Sequence, residues 1–123
     1  MDSSAQIEAV DEALLDSYRV LQDEGQPDLV TELIDVFLED LPGRLAAVRS
    51  AVDLRDPKAI RSAAHALKGA AASIGAARLA AVCATLEALG RAGEPEGAPE
   101  LVPPIERAAA EVAPLLIAHR VPS

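Results

Sequence analysis

The chain has 123 residues and a net charge of −9, and half of its residues are apolar. At this length a single domain with a modest core is expected, spanning 1–123. The acidic balance argues against nucleic acid as a partner, and a lone cysteine, Cys83, excludes an internal disulfide framework or a cysteine-based zinc site.

The opening MDSSAQIEAV lacks the basic and apolar regions of a signal peptide. No run of about 18 apolar residues is present to span a bilayer. A soluble, cytoplasmic protein with no membrane contact is the expectation. Alanine dominates the apolar residues, and Tyr18 and Phe37 are the only aromatics. Small side chains and high helix propensity favour closely packed helices. Charge is also segregated. Residues 1–40 hold twelve acids and one base, Arg19, whereas residues 44–86 hold seven bases and two acids.

Residues 1–9 are expected to be flexible. Asp11 is placed to N-cap a first short helix, with Leu14, Leu15, Tyr18 and Leu21 on one side and Gly25 as its end. An exposed apolar patch is expected near Leu14 and Tyr18. Pro27 then opens a second helix near Asp28. Its apolar positions Val30, Leu33, Phe37, Leu41, Leu45, Val48 and Val52 form one stripe. Pro42-Gly43 interrupts it, but the stripe keeps phase across the break, which favours one kinked helix over 28–53 to two helices.

Asp56 is placed to cap a third helix that has Pro57 in its first turn and Gly75 as its stop. A fourth follows, with Leu79, Val82, Cys83, Leu86 and Leu89 inward. The composition of 90–99 reads as a loop, and a last helix runs from about Glu100 to His119. No strand pattern or internal repeat is found. The fold class is all-α: an antiparallel four-helix bundle with a short additional N-terminal helix.

The third helix carries AAHALKGAAASIG at 63–75. On a helical wheel Lys58, Arg61, Ser62, Lys68, Gly69 and Ala72 fall within about 60° of His65, and Ile60, Ala64, Leu67, Ala71 and Ile74 fall opposite. His65 thus points away from the core. Its face is basic and, through Gly69 and Ala72, sterically open. A mid-helix glycine costs about 1 kcal/mol relative to alanine, so close approach of another surface would explain it; a tolerated packing glycine is the competing explanation. Lys68 lies one turn from His65. Lysine does not help an imidazole bind a metal cation, but it does favour an anion carried there. Neutral imidazole is a nucleophile near pH 7, and phosphoryl transfer needs chiefly positioning and charge neutralisation. In an antiparallel hairpin about Gly75, Glu87 is level with His65 and placed to accept from its Nδ1–H. A solvated surface glutamate is the alternative. Arg91, one turn on, is a weaker candidate for the same face.

His65, Leu67, Lys68, Gly69 and Gly75 together resemble the His-x-Leu-Lys-Gly signature and following glycine of the histidine-containing phosphotransfer family. The likeness extends over DVFLEDLPGRLAAV before the motif and AARLAAVCATLEALGRAG after it, about residues 28–92. Ala70 and Ser73 depart from common family choices. The resemblance implies that His65 is phosphorylated, that Lys68 steadies the phosphoryl group and that Gly69 makes room for a partner. Glu87 matches the family's Gln or Glu at 22 residues after the histidine. The expected function is that of a phosphorelay carrier, receiving a phosphoryl group from one receiver-domain aspartate and passing it to another. Its partners would be receiver domains or a hybrid histidine kinase, with Lys58, Arg61, Ser62, Gly69, Ala72 and Arg91 at the contact.

No cofactor is expected on this chain; Mg²⁺ would come with the receiver. No Walker motif or kinase glycine-rich loop is present, so no ATP site is expected. A monomer is expected. A phosphate-accepting module for a chemotaxis-type kinase in trans is the nearest alternative. A phosphate-independent helical adaptor belongs to a different class, and a metal-binding bundle lacks the ligand pattern. His119 is expected at the surface.

Overall fold

The computed structural model describes residues 7–121. Among them are five α-helices and no strands: α1 (Glu12–Val20), α2 (Leu29–Asp53), α3 (Pro57–Ile74), α4 (Ala77–Ala92) and α5 (Val102–Ala118). A 3-10 segment, Pro95–Leu101, joins α4 to α5. Helices α2 to α5 form the bundle, and α1 packs against its edge. Of the segment expected to be flexible, residues 1–6 lie outside the described residues. Ile7 is held, its carbonyl accepting from Arg78 Nε at 2.9 Å.

Helices α2 and α3 each start at a capping aspartate. Asp28 caps α2, its carboxylate accepting from the Thr31 amide at 3.0 Å. Asp56 caps α3 by accepting from Lys58 and Ala59, with Pro57 at the position where a missing N–H costs nothing. Gly75 ends α3 in the left-handed region, φ 79°, while the Asp11 amide donates to its carbonyl at 2.7 Å. The N-terminal segment thus straps the turn between α3 and α4. Helix α2 runs unbroken through Pro42. Pro42 is on the exposed face of the helix.

The core is aliphatic. Leu15, Ile34, Ile60, Leu67, Leu79, Leu86, Ile105 and Leu116 are its largest fully buried side chains. Burying each contributes about 1.5–3 kcal/mol. Alanines 64, 71, 76, 108 and 109 are buried among them, so the helices approach closely, most extensively α3 against α4.

Four local expectations are corrected. Ile34, not Leu33, is the core residue of α2, and Leu33 is exposed: an i, i+4, i+7 row through Val30, Ile34 and Phe37 buries the branched side chain. Helix α1 ends at Val20 rather than at Gly25; Leu21 is its C-cap and is exposed. The apolar patch near Leu14 and Tyr18 is only partly open: Leu14 is half-buried, and Tyr18, also half-buried, packs on the core and donates its hydroxyl to the Ser73 carbonyl at 2.8 Å. The loop expected at 90–99 is mostly helical, because α4 continues to Ala92 and the 3-10 segment begins at Pro95. Composition misjudged this stretch because Gly90 serves helix packing rather than a turn.

Candidate functional site

His65 lies midway along α3 with its side chain 68 % exposed, while Ala64 and Leu67 on either side of it face the core. Across the α3–α4 seam stands Glu87, the one charged residue buried among those described, 4 % exposed. It follows the Cys83 and Leu86 stripe of α4, and that position carries its carboxylate into the seam instead of to solvent. Glu87 Oε2 is 2.8 Å from His65 Nδ1 and 3.3 Å from an Arg91 Nη; Oε1 accepts from Lys68 Nζ. No buried side-chain polar atom among the described residues lacks a partner.

These contacts fix the imidazole's chemistry. The Lys68 hydrogen bond is the largest influence on the Glu87 carboxyl and holds it below the usual carboxylate range; burial opposes it, and the His65 hydrogen bond assists. An ionised carboxylate only accepts hydrogen bonds, so Nδ1 must carry the proton. In the neutral ring the free lone pair is then on Nε2. The solvent-facing nitrogen is the nucleophilic one.

His65 opens on one side into a shallow cleft of about 440 Å³ lined by Lys58, Arg61, Ser62, Glu87 and Arg91. Three cations around one exposed imidazole make an anion-favouring surface on an acidic chain. On the other side Gly69 and Ala72 are exposed. A Cβ on Gly69 would meet nothing within 4 Å, so packing inside the chain does not require glycine there. Beyond lies an apolar groove of about 200 Å³ that includes Leu33, Val36, Phe37, Ala70, Ser73 and Ile74.

The structure therefore brings His65, Lys68, Glu87 and Arg91 into one cluster, with Lys58, Arg61 and Ser62 at its rim and Gly69 and Ala72 alongside. Lys68 is held on Glu87, because the buried carboxylate is the strongest acceptor in reach. Arg91 is tied to the same carboxylate. His119 lies away from the cluster, its Nε2 3.4 Å from Glu12. Cys83 is buried under the cluster, and burial pushes its thiol up to about 12. Sequence reasoning missed Gly90, which sits where α4 crosses α3; its signal was a glycine in phase with the buried Cys83, Leu86 and Glu87 face. No group of three or more potential metal ligands occurs among the described residues, and no helix among them is long and apolar enough to cross a membrane.

The family model of the Hpt domain matches residues 32–115. The chain is 40 % identical over 68 residues to histidine-containing phosphotransfer protein 5 of Arabidopsis thaliana, covering 53 % of this chain and 43 % of that protein. It is 32 % identical over 80 residues to histidine-containing phosphotransfer protein 2 of the same plant, covering 63 % and 51 %. It thus spans about half the length of these curated relatives. Among solved structures, histidine-containing phosphotransfer protein B of Pseudomonas aeruginosa PAO1 superposes with a TM-score of 0.80 at 32 % identity, over 93 % of this chain and 96 % of that one. A histidine-containing phosphotransfer protein of Medicago truncatula gives 0.75 at 26 % identity, over 95 % and 80 %. With the Hpt domain model matching more than half of its length and its helical bundle superposing on solved members, the chain belongs to the histidine-containing phosphotransfer (Hpt) domain family.

Proposed function

We propose that this protein is a phosphorelay carrier in two-component signalling, with His65 as the residue that is phosphorylated. The observation that carries the reading is the Nδ1–H···Glu87 hydrogen bond at 2.8 Å on a ring that is otherwise exposed. It leaves Nε2 as an oriented nucleophile facing a partner.

In the proposed transfer, Nε2 attacks the phosphorus of an aspartyl phosphate on a receiver domain. The P–N bond forms as the P–O bond to the aspartate breaks, and the carboxylate leaves with the electron pair. The Nδ1 proton stays on the ring, and Glu87 steadies the positive charge that develops there. The transfer onward is the reverse, to a second aspartate. Lys68 and Arg91 rest on Glu87 before transfer; the arriving phosphoryl oxygens compete for them and gain two charge-assisted donors. Lys58, Arg61 and Ser62 line the approach. Gly69 and Ala72 give the receiver's backbone clearance, and the groove at Leu33 and Val36 extends the contact. The receiver supplies Mg²⁺. The chain acts as a monomeric carrier with no ATP site of its own.

The test is incubation with a labelled, phosphorylated receiver domain. Label moves to the wild type and not to His65→Gln; equal labelling of the two proteins refutes the assignment.

A further inference from the structure

Gly90 is buried on α4, one turn beyond Glu87 and next to Arg91. A Cβ built there would lie 2.6 Å from the Arg61 amide nitrogen, 2.8 Å from the Pro57 carbonyl oxygen and 2.9 Å from the Arg61 Cα. All three are backbone atoms of the first turns of α3, so no side chain can swing aside. Arg61 is one turn before His65, and Gly90 is nearly one turn after Glu87. The backbone contact at Gly90 is therefore the neighbour, along the same seam, of the His65–Glu87 hydrogen bond.

We infer that Gly90 is a positioning residue for phosphotransfer: its missing side chain sets the α3–α4 separation at which Glu87 reaches His65 Nδ1. This rests on the phosphorelay reading above. Restoring ordinary contact for a methyl at Gly90 requires the helices to part by about 0.8 Å. Passed one turn along the seam, that shift carries the 2.8 Å hydrogen bond to about 3.6 Å, outside bonding range. Arg91, on the residue next to the wedge, is displaced with it. Gly90 differs in this from Gly69, whose open surroundings leave internal packing indifferent to a side chain.

The test is Gly90→Ala, read by ¹⁵N NMR of labelled histidine and by transfer from a phosphorylated receiver at saturating receiver concentration. In the wild type at a pH where the ring is neutral, His65 shows one dominant tautomer with the proton on Nδ1. In Gly90→Ala the shifts move towards a tautomer mixture, and saturated transfer slows by about 10–100-fold. A folded Gly90→Ala with wild-type tautomer and rate overturns the inference, as does one that loses only thermal stability. Should that variant not fold, Glu87→Asp withdraws the carboxylate by one methylene without any wedge; an unchanged His65 tautomer there also overturns it. The NMR readout involves no phosphate. Failure of the relay reading, seen as no transfer to the wild type, is thus distinct from failure of the role given to Gly90.

Discussion

Glu87 has three partners, and the four groups differ in how much water they see. The carboxylate is nearly dry, whereas the side chains of Lys68, Arg91 and His65 are 34 %, 58 % and 68 % exposed. Removing a partner is therefore asymmetric. Lys68→Ala strips a buried carboxylate of its strongest donor and is expected to cost about 1–3 kcal/mol. Glu87→Gln leaves an acceptor for Nδ1 and lets the exposed cations return to water, so it costs about 1 kcal/mol or less. Urea denaturation of the two variants checks the order. The sign with pH follows from the lowered Glu87 carboxyl. Its stabilising contribution is complete above the unfolded value of about 4.3 and is lost as pH falls through the lower folded value. The stability difference between wild type and Glu87→Gln therefore narrows below about pH 4. Level placement of Glu87 with His65 was legible from counting residues about Gly75. Its burial was not, because a glutamate beside an apolar stripe faces core or solvent according to a helix rotation that sequence alone does not set.

At the scale of elements, α3 was the most readable. Its cap, proline, wheel and terminal glycine each satisfy a separate local rule, and all agree. The second helix shows what a stripe leaves undetermined: Leu33 and Ile34 both fit the spacing, and tertiary contact selects Ile34. Residues 90–99 misled because glycine means a turn in one setting and close helix contact in another. Gly69 offers a test of helix energetics against function. With nothing within 4 Å of a Cβ there, Gly69→Ala gains helix propensity and is expected to stabilise the fold by about 0.5–1 kcal/mol. Gly69→Leu on the same open site keeps the thermal midpoint within a few degrees but lowers affinity for the phosphorylated receiver. A loss confined to the thermal midpoint would place Gly69 in packing and not in docking.

Over the whole molecule, the acid-rich first forty residues cover α1 and the first half of α2, and the basic middle segment runs from the second half of α2 through α3 into α4. The cations Lys58, Arg61 and Arg91 meet at one cleft on a chain of net charge −9. Such a patch steers an acidic partner over a distance of about one Debye length, about 10 Å at 0.1 M salt. Raising ionic strength is expected to slow transfer at low receiver concentration and to leave the saturated rate nearly unchanged. Arg61→Glu should reproduce the effect at low salt. Stopped-flow or quenched-flow transfer over a range of receiver concentrations separates the two regimes.

The strap over Gly75 bears on how this bundle tolerates attachments. Ile7 is held by Arg78, residues 8–10 line a cleft with Leu115, Ala118 and His119, and the Val121 amide donates to Thr31 Oγ1. Residues 7–10 and 115–121 therefore gather at one pole, that of the α3–α4 turn. His65 lies ten residues before that turn, about 15 Å along the axis. A fluorophore attached beside Ile7 or Val121 would stand off from the histidine face, and a pair of such labels would report fraying of this pole while leaving phosphotransfer undisturbed.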